Sequence, residues 1–427
     1  MPSRKLSIGM TVVLAMFAAT VLGAGTRAAA QQEQLLYSFS DNGRDGVDPV
    51  AGVIMDSAGN LYGTTFSGGV YGQGTVFELA PAADGQWKEK LLHTFKGGAK
   101  DGGSPTGGLI FDSAGNLYGT TQVGGEGSGG TVFELSPVSG GQWTETILHN
   151  FTYNHGADGI YPYASLIFDA AGNLYGTTLN GGGGFCTNSD GYRDGCGTVF
   201  ELSPSTGGGW TETILHEFGR AKDGANPSGS LIFDASENLY GTTFHGGISG
   251  GGTVFELSPS RGSWVETVLY NFNSSSSDGN EPAAGLVFDA AGNLFGTTST
   301  GGSEQAGGTV FELTSTPGRG WNESILSSFG GGEGDRPSSS LIFDAAGNLY
   351  GTTYSGGVYG FGTVFALKHG SDGSWSHLLL HSFNYNPDGG TDGGDPSGVI
   401  FNPAGNLLGT TFIGGANQAG TVFEVKP

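Results

Sequence analysis

The sequence Gly-Asn-Leu-Tyr-Gly-Thr-Thr occurs seven times along this 427-residue chain, and this repetition constrains the fold more than any other feature. Single residues depart from the motif at Glu237, Phe295 and Leu408. The motif asparagines are Asn60, Asn116, Asn173, Asn238, Asn293, Asn348 and Asn406. Successive copies lie 55 to 58 residues apart except for one interval of 65, which indicates tandem structural units with one inserted loop.

Each repeat contains four segments with strand character. In the second repeat these are residues 108–111 (strand A), 117–121 (strand B), 130–135 (strand C) and 143–151 (strand D). Strand D alternates with a period of two, which places Trp143, Glu145, Ile147, His149 and Phe151 on one face. Turns rich in Gly and Pro separate the segments, and no window shows the 3.6-residue apolar period of a helix. Four antiparallel strands in a repeat of this length predict one blade of a β-propeller.

The two ends of the repeated array predict a closed ring. The last repeat stops after strand C, and a lone strand D at residues 35–39 precedes the first repeat. We therefore predict an all-β fold, a seven-bladed β-propeller with four antiparallel strands per blade. In this prediction the N-terminal strand D pairs with the C-terminal A–B–C strands, which removes the exposed edges of an open array. A solenoid, the alternative, needs atypical capping repeats at its ends.

Residues 1–30 have the layout of a secretory signal peptide. Arg4 and Lys5 precede an apolar run at residues 8–22, and the Ala triplet 28–30 offers a small-residue cleavage site. We expect cleavage after Ala30, no membrane insertion of the mature protein, and a secreted, extracellular or periplasmic location. An uncleaved membrane anchor is the alternative.

The predicted domains are the signal peptide, residues 1–30, and one propeller, residues 31–427. The repeats of the propeller lie near residues 50–95, 106–151, 163–218, 228–272, 283–329, 338–383 and 397–425, with residues 35–39 as the seventh strand D.

The charge of the mature chain limits the class of partner. The first 30 residues hold three of the 16 Lys and Arg residues and none of the 39 acids, which leaves 13 basic residues against 39 acidic ones and a formal charge of −26. Such a charge repels phosphate backbones and anionic membranes, so we expect no nucleic-acid partner. We expect a monomer whose partner is an extracellular glycan or protein.

Cys186 and Cys196 are the two cysteines of the sequence, and both lie in the inserted loop of the third repeat. In the oxidising compartment that a signal peptide implies, we predict a disulfide between them. A metal site would need more ligands than this pair supplies.

The full repeat resembles a known family. The pattern Asp-x-x-Gly-Asn-Leu-Tyr-Gly-Thr-Thr, then Gly-Gly, then Gly-Thr-Val-Phe-Glu-Leu is similar to the GloVer tandem repeat of "choice-of-anchor" bacterial surface proteins. The resemblance covers residues 35–427 and implies an exported, propeller-like protein without an established activity. Pro427 follows the last strand by two residues with no sorting tail, which favours a freely secreted protein over an anchored one.

In a propeller, the D–A and B–C links lie on one face, which we call the upper face. Each D–A link contains an acid followed by Gly, with Pro four residues after the acid. The acids are Asp45, Asp101, Asp158, Asp223, Asp278, Glu333 and Asp392. We interpret them as caps of their own turns. A cation-attracting ring is the alternative, although Ca²⁺ needs six to eight ligands.

Other residues that recur in most blades are interpreted as scaffold. Six tryptophans open strand D and are expected to pack between blades rather than to stack on sugars: Trp87, Trp143, Trp210, Trp264, Trp321 and Trp375. Four strand-D histidines lie in different blades and are not expected to be ligands of one metal site: His93, His149, His216 and His381.

Departures from the seven-fold pattern indicate the candidate sites. In the third repeat, tyrosines flank the link proline and the Cys loop adds aromatic and charged groups; the predicted ligand-binding residues are Tyr161, Tyr163, Phe185, Tyr192, Arg193 and Asp194. Where the chain ends meet, an acidic cluster offers candidate ligands for Ca²⁺: Asp41, Asp45, Asp48, Asp392 and Asp395. Solvated loop charge is the alternative interpretation of this cluster.

No motif indicates a chemistry, since the sequence lacks a phosphate loop, His-Glu-x-x-His and Cys-x-x-Cys. We therefore predict a secreted, non-catalytic binding or structural propeller whose glycan or protein ligand lies on the upper face, and assign no catalytic residue. Two alternatives stay open. One is a secreted carbohydrate-active hydrolase or lyase that uses upper-face carboxylates. The other is a Ca²⁺-stabilised extracellular scaffold.

Overall fold

The computed structural model describes residues 33–427 except 154–157, 187–193, 221, 274–277, 304–306, 317, 319, 389 and 391. The predicted signal peptide and two predicted ligand-binding residues, Tyr192 and Arg193, lie outside the described residues. The described residues form a seven-bladed β-propeller with one antiparallel four-strand sheet per blade, which confirms the predicted fold class. They include no helix with the length and apolarity needed to cross a membrane.

The strands of each blade are hydrogen-bonded in the order A, B, C, D. From blade 1 to blade 7, strand A is Ile54–Met55, Ile110–Phe111, Ile167–Phe168, Ile232–Phe233, Val287–Phe288, Ile342–Phe343 and Gly393–Phe401. In the same order, strand B is Leu61–Thr65, Leu117–Thr121, Leu174–Gly181, Leu239–Thr243, Leu294–Thr298, Leu349–Ser355 and Leu407–Gly414. Strand C is Thr75–Pro81, Ser128–Val138, Thr198–Pro204, Gly250–Ser260, Thr309–Thr316, Thr363–His369 and Gln418–Val425. Strand D is Trp87–Thr94, Gln142–Thr152, Trp210–Glu217, Ser263–Asn273, Gly320–Ser328, Trp375–Ser382 and Glu33–Ser40.

Short strands in the links add a second layer of pairing on the upper face. In the D–A links they are Gly46–Val47, Gly102–Gly103, Gly159–Pro162, Gly224–Ala225, Gly279–Asn280 and Asp335–Pro337. In the B–C links they are Ser67–Gly68, Val123–Gly124, His245–Gly246 and Thr300–Gly301. One 3₁₀ turn, Gly331–Glu333, precedes the D–A strand of blade 6. Pairs such as Gly46 with Gly68 connect a D–A link to the B–C link of the same blade.

Blade 7 contains both ends of the described chain. Its strand D, Glu33–Ser40, pairs antiparallel with its strand C, Gln418–Val425, with Gln34 opposite Glu424 and Ser38 opposite Thr421. Strand C pairs in turn with strand B, and strand B with strand A.

Seven hydrophobic clusters fill the junctions between neighbouring blades, including the junction of blade 7 with blade 1. At each junction a Phe in strand D, or directly after it, meets a strand-C Phe of the next blade edge to face. Phe95 and Phe133, for example, are fully buried with ring centroids 5.2 Å apart. Each of the six tryptophans packs against one of these clusters, in agreement with its predicted role between blades.

An Asp three residues before the motif, replaced by Asn402 in blade 7, organises the turn between strands A and B. In blade 2, one carboxylate oxygen of Asp112 accepts hydrogen bonds from the backbone N–H groups of Ala114 and Asn116, at 2.8 and 2.9 Å. The other oxygen accepts from the Asn116 side chain and from the Tyr118 hydroxyl. This single Asp side chain therefore explains why Asn and Tyr follow at fixed spacing.

The Gly-Thr-Thr half of the motif joins strand B to strand C and to the next blade. A Cβ at Gly119 would lie 2.6 Å from the Phe133 ring, so only glycine leaves room for that ring. The Thr120 hydroxyl donates to the Ala164 carbonyl of blade 3, at 3.4 Å. The Thr121 hydroxyl is hydrogen-bonded to Thr131, at 2.8 Å, and the equivalent buried threonine pair occurs in all seven blades.

Each D–A proline packs against a glycine at the start of strand C in the preceding blade. Gly252 has a φ of +90°, and a Cβ there would lie 2.7 Å from Cδ of Pro282 and closer still to the Thr243 carbonyl oxygen. The equivalent pairs are Gly74–Pro105, Gly130–Pro162, Gly197–Pro227, Gly308–Pro337, Gly362–Pro396 and Gly420–Pro49. The link proline is thus a contact between blades as well as a constraint on its own link.

Gly252→Ala is expected to lower the free energy of unfolding by more than the roughly 1–2 kcal/mol that a left-handed backbone costs an L-residue. The extra loss arises because the junction has no space for the new methyl group. Gly262→Ala is the matched control, since Gly262 has a φ of +85° and no atom within 4 Å of an added Cβ. Urea denaturation measures the free energy of unfolding of both variants. Equal losses in the two would show that the close approach of the Gly252 position to Pro282 does not contribute to stability.

Candidate functional site

The upper face opens at its centre into a funnel with a volume of about 760 Å³. Five large side chains line it: Tyr163, Leu179, Phe244, Tyr354 and Phe412. The polar side chains among them are four serines, Ser228, Ser338, Ser339 and Ser397, and the larger Asn180, Asn226, His245 and Asp395. Below the funnel lies an axial channel of about 340 Å³, formed by residues at the start of strand A of all seven blades, and Tyr163 lines both spaces.

The residue before each D–A proline has a left-handed backbone, with φ between 53° and 60°. These residues are Asp48, Ser104, Tyr161, Asn226, Glu281, Arg336 and Asp395. Hydrogen bonds to two blades hold this conformation: the N–H of Asn226 donates to the Cys196 carbonyl at 2.7 Å, and its carbonyl accepts from the N–H of Phe244 at 3.0 Å. Strained backbone that is held in place by surrounding hydrogen bonds is characteristic of functional sites.

Three positions of the repeat supply most of the funnel wall, and their side chains differ from blade to blade. The first is the left-handed residue before proline. The second, after proline, is Val50, Thr106, Tyr163, Ser228, Ala283, Ser338 and Ser397. The third, after Thr-Thr, is Phe66, Gln122, Leu179, Phe244, Ser299, Tyr354 and Phe412. The upper face thus acquires an asymmetric centre on a scaffold that is otherwise repeated.

The structure distributes the predicted ligand-binding residues over two places. Tyr163 lies in the funnel wall and is 40% exposed. Tyr161 lies beside the Tyr153 ring, with centroids 6.4 Å apart, and Asp194 accepts a hydrogen bond from the Tyr153 hydroxyl at 3.0 Å. Phe185 is exposed on the Cys loop, beside the predicted Cys186–Cys196 disulfide, which is confirmed.

Six of the seven D–A acids accept a hydrogen bond from a backbone N–H group at the start or the end of their own link, in agreement with the predicted capping: Asp45, Asp101, Asp158, Asp223, Asp278 and Asp392. Asp392 accepts hydrogen bonds from the backbone N–H groups of Gly393 at 2.7 Å and Asn384 at 2.8 Å. The same cap to the following glycine occurs at Asp45, Asp223 and Asp278. Asp392, like Asp278, therefore joins the start of its link to the end.

The five predicted Ca²⁺ ligands are not brought together as one ligand set. Asp45 is buried and accepts from the Tyr37 hydroxyl at 3.1 Å, whereas Asp48 accepts from Ser67 and Asp395 lies in the funnel beside Tyr354. Asp41 is exposed in the turn that follows strand D of blade 7. Among the described residues, Asp392 alone of the five belongs to a group of three ligand atoms within 4.8 Å of one another.

Half-buried acids on strand D form a further repeated feature, which the sequence pattern alone did not indicate. They lie two residues after the strand-D tryptophan, or in register with that position in blade 7: Glu89, Glu145, Glu212, Glu266, Glu323 and Glu33. Glu323 illustrates the arrangement: it faces Asp278 and Tyr270 of the preceding blade. The Tyr270 hydroxyl donates to Asp278 at 3.3 Å. Burial, reinforced by the charge of Asp278, raises the pKa of Glu323 to about 7.

The raised pKa of Glu323 predicts a pH-dependent cost to folding. The folded state binds the proton of Glu323 more tightly than the unfolded chain does, because the pKa of an unfolded glutamate is only about 4.3. The protonated carboxyl therefore stabilises the fold at low pH, and this contribution is lost as the pH rises from about 4.3 through about 7. Glu323→Gln is therefore expected to raise the melting temperature at pH 8 and to leave it nearly unchanged at pH 4.

Melting curves of Glu323→Gln and wild type between pH 4 and pH 8 test this expectation. Glu126→Gln, a change at an exposed link residue, serves as the control and is expected to show no such trend. A gain at Glu323→Gln that is the same at both pH values would contradict the expectation.

Solved structures give a likeness of fold. The extracellular domain of a protein assigned as a hybrid two-component system, BT4673 of B. thetaiotaomicron, has a TM-score of 0.52 at 12% identity, with 92% of this chain and 39% of that chain covered. PorZ, a surface component of the type-IX secretion system of Porphyromonas gingivalis, has a TM-score of 0.51 at 15% identity, with 90% and 47% covered. This chain thus spans less than half the length of either protein, and identities this low show the fold alone.

A protein assigned as a 6-phosphogluconolactonase from Bacteroides uniformis has a TM-score of 0.46 at 14% identity, with 85% of this chain and 89% of that chain covered. No curated protein matches the sequence. The profile of the Gloeobacter/Verrucomicrobia repeat matches residues 23–191, 184–322 and 275–427. Because these matches extend over the whole propeller, the chain belongs to the Gloeobacter/Verrucomicrobia repeat family.

Proposed function

We propose that this protein is an exported, non-catalytic propeller that binds a saccharide in the funnel of the upper face. One observation carries the proposal: large apolar side chains and hydrogen-bonding groups from distant parts of the chain converge in a single concave space. The volume, about 760 Å³, falls within the roughly 300–1,000 Å³ typical of small-ligand sites, which combine an apolar lining with a few polar groups.

The lining suits both chemical features of a sugar ring, its apolar C–H face and its hydroxyl groups. Phe244 and Tyr354 offer aromatic faces for the C–H side of a pyranose. Asn226, His245 and Asp395 offer donors and acceptors for hydroxyl groups. A neutral saccharide also suits a chain with a formal charge of −26 after signal removal, because it requires no basic residues for recognition.

The number of carboxylates in the described funnel lining favours binding over hydrolysis. Glycoside hydrolysis uses two carboxyl groups, about 5–5.5 Å apart in retaining enzymes and about 6.5–9.5 Å apart in inverting ones. Of the described residues that line the funnel, Asp395 alone carries a carboxylate. The lining therefore presents one partner of such a pair.

Export is supported by the signal-peptide pattern and by the cysteines. The Cys186–Cys196 disulfide lies at the edge of the junction between blades 3 and 4, where Cys196 is fully buried. Structural disulfides persist in secreted and periplasmic proteins and are rare in reducing compartments.

A protein partner is the second candidate, and a different observation favours it. The B–C links carry exposed apolar residues around the funnel: Val70, Tyr71, Ile248, Val358 and Tyr359, each between 53% and 67% exposed. Together with the funnel mouth they form an outer rim that a protein ligand could contact.

Titration calorimetry with a panel of neutral di- to hexasaccharides tests the proposal. Phe244→Ser and Tyr354→Ser introduce the residue that blade 5 already has at the same position, Ser299, so the scaffold is expected to accept them. Loss of one stacking contact worth about 0.5–1.5 kcal/mol is expected to weaken the affinity roughly 2- to 12-fold.

Tyr359→Ser is the matched control, because Tyr359 is an exposed aromatic residue outside the funnel. Weaker binding in Tyr359→Ser with unchanged binding in Tyr354→Ser would move the site to the outer rim. Release of reducing ends from any saccharide of the panel would contradict the non-catalytic assignment.

A further inference from the structure

Four blade junctions bring together a histidine and two carboxylates from three separate segments. Each group consists of a strand-D histidine, the acid of the following D–A link, and the half-buried strand-D glutamate of the next blade. The groups are His93–Asp101–Glu145, His149–Asp158–Glu212, His216–Asp223–Glu266 and His381–Asp392–Glu33. In each group one nitrogen and two oxygen ligand atoms lie within 4.8 Å of one another.

The junction of blades 2 and 3 shows the arrangement most clearly. Nε2 of His149 lies 3.8 Å from Oδ1 of Asp158 and 3.6 Å from Oε2 of Glu212, beyond hydrogen-bonding distance. The three side chains are only 14% to 19% exposed. Nε2 of His149, Oδ1 of Asp158 and Oε1 of Glu212 are buried without a hydrogen-bond partner among the described residues. Orphaned buried polar atoms are costly and rare in folded proteins.

The acid of each group is oriented by the backbone. Oδ2 of Asp158 accepts from the N–H of Thr152 at 2.8 Å, which leaves Oδ1 directed toward His149. At the junction of blades 1 and 2, Oδ2 of Asp101 accepts from the N–H of Lys96 at 2.9 Å, and Oδ1 faces His93 at 3.3 Å. Such outer hydrogen bonds are the usual means by which a protein fixes a metal-binding carboxylate.

Two other junctions have tyrosine in place of the histidine, and there the tyrosine hydroxyl bonds the acid of the link directly. The Tyr37 hydroxyl donates toward Asp45 at 3.1 Å and toward Glu89 at 3.3 Å. The Tyr270 hydroxyl donates to Asp278. Each phenol thus meets its link acid within hydrogen-bonding distance, as His93 and His216 also do, at 3.3 and 3.1 Å. Nε2 of His149 and of His381, by contrast, has no hydrogen-bond partner among the described residues.

We propose that the His149–Asp158–Glu212 group binds a divalent transition-metal ion, and that the three equivalent groups do the same. One imidazole and two carboxylates are a ligand set suited to Zn²⁺, with a water molecule as the fourth ligand. The ligands of each site come from two neighbouring blades, so the ion cross-links the ring. Ca²⁺ is a poor fit, because it requires six to eight oxygen ligands.

The test uses the tag-free mature protein, stripped with a chelator and then equilibrated with Zn²⁺. Elemental analysis after equilibrium dialysis is expected to find about four Zn²⁺ ions per chain, and Zn²⁺ is expected to raise the melting temperature. The same concentration of Ca²⁺ is expected to leave the melting temperature unchanged.

The variants replace a histidine with the tyrosine that two other junctions already have. His149→Tyr reproduces the residue found at Tyr37 and Tyr270, so it is expected to fold and to bind one Zn²⁺ fewer than wild type. Replacing all four histidines with Tyr is expected to abolish both Zn²⁺ binding and the Zn²⁺-dependent rise in melting temperature. His369→Gln, a change at an exposed histidine outside the four groups, is expected to retain the wild-type count.

Several results would overturn the proposal. These are a wild-type protein that retains no Zn²⁺ after dialysis, a four-fold variant that binds as much Zn²⁺ as wild type, or stabilisation by Ca²⁺ and not by Zn²⁺. If the four-fold variant does not fold, the Zn²⁺ counts of the four single His→Tyr variants decide the question in the same way.

Discussion

The junction between neighbouring blades is the contact on which the rest of this structure depends. A strand-D Phe meets a strand-C Phe of the next blade, and a link Pro rests on a strand-C Gly of the blade before it. Both contacts recur seven times and include the junction of blade 7 with blade 1. Because no blade buries its apolar faces alone, the blades are expected to be stable only together in the ring.

Because the repeated residues make the contacts between blades, a few other positions of the repeat are free to differ. Gly, Thr, Phe and Pro are held by contacts between and within blades, so they repeat. The side chains before the link Pro, after it and after Thr-Thr supply most of the funnel wall and take no part in the Phe–Phe and Pro–Gly contacts, so blade 3 can have Tyr163 where blade 4 has Ser228. A symmetric scaffold thereby presents an asymmetric site, as is common when binding residues lie on loops of a rigid frame.

The sequence predicted the blade count and strand type well, because both are local and repeated. Strand B of blade 2 was expected at residues 117–121 and is Leu117–Thr121, whereas strand A was expected at 108–111 and is only Ile110–Phe111. Its first residue lies against the next blade instead of pairing with strand B: the N–H of Gly108 donates to the Ser165 hydroxyl of blade 3, at 2.9 Å. Strands C and D extend further than expected because they continue to pair, from Ser128 with Thr152 to Val138 with Gln142.

The candidate site was predicted less completely. Tyr163 and Asp395 were identified because they depart from the repeat, but Phe244, Tyr354 and Phe412 were not. These residues meet only because the ring closes, which brings together side chains that are far apart in sequence. The strand-D glutamates were visible on the same face as the histidines, yet their pairing with the preceding blade required the geometry of the junction.

The most direct test of this account is urea denaturation of a variant that carries Tyr163→Ser, Phe244→Ser, Tyr354→Ser and Phe412→Ser together. Each change introduces a residue that another blade already has at that position. If junctions carry the stability and the funnel carries recognition, the variant loses at most about 2 kcal/mol of unfolding free energy, the total expected for four surface substitutions. A much larger loss would show that the funnel side chains hold the ring together, and would contradict the separation of scaffold from site.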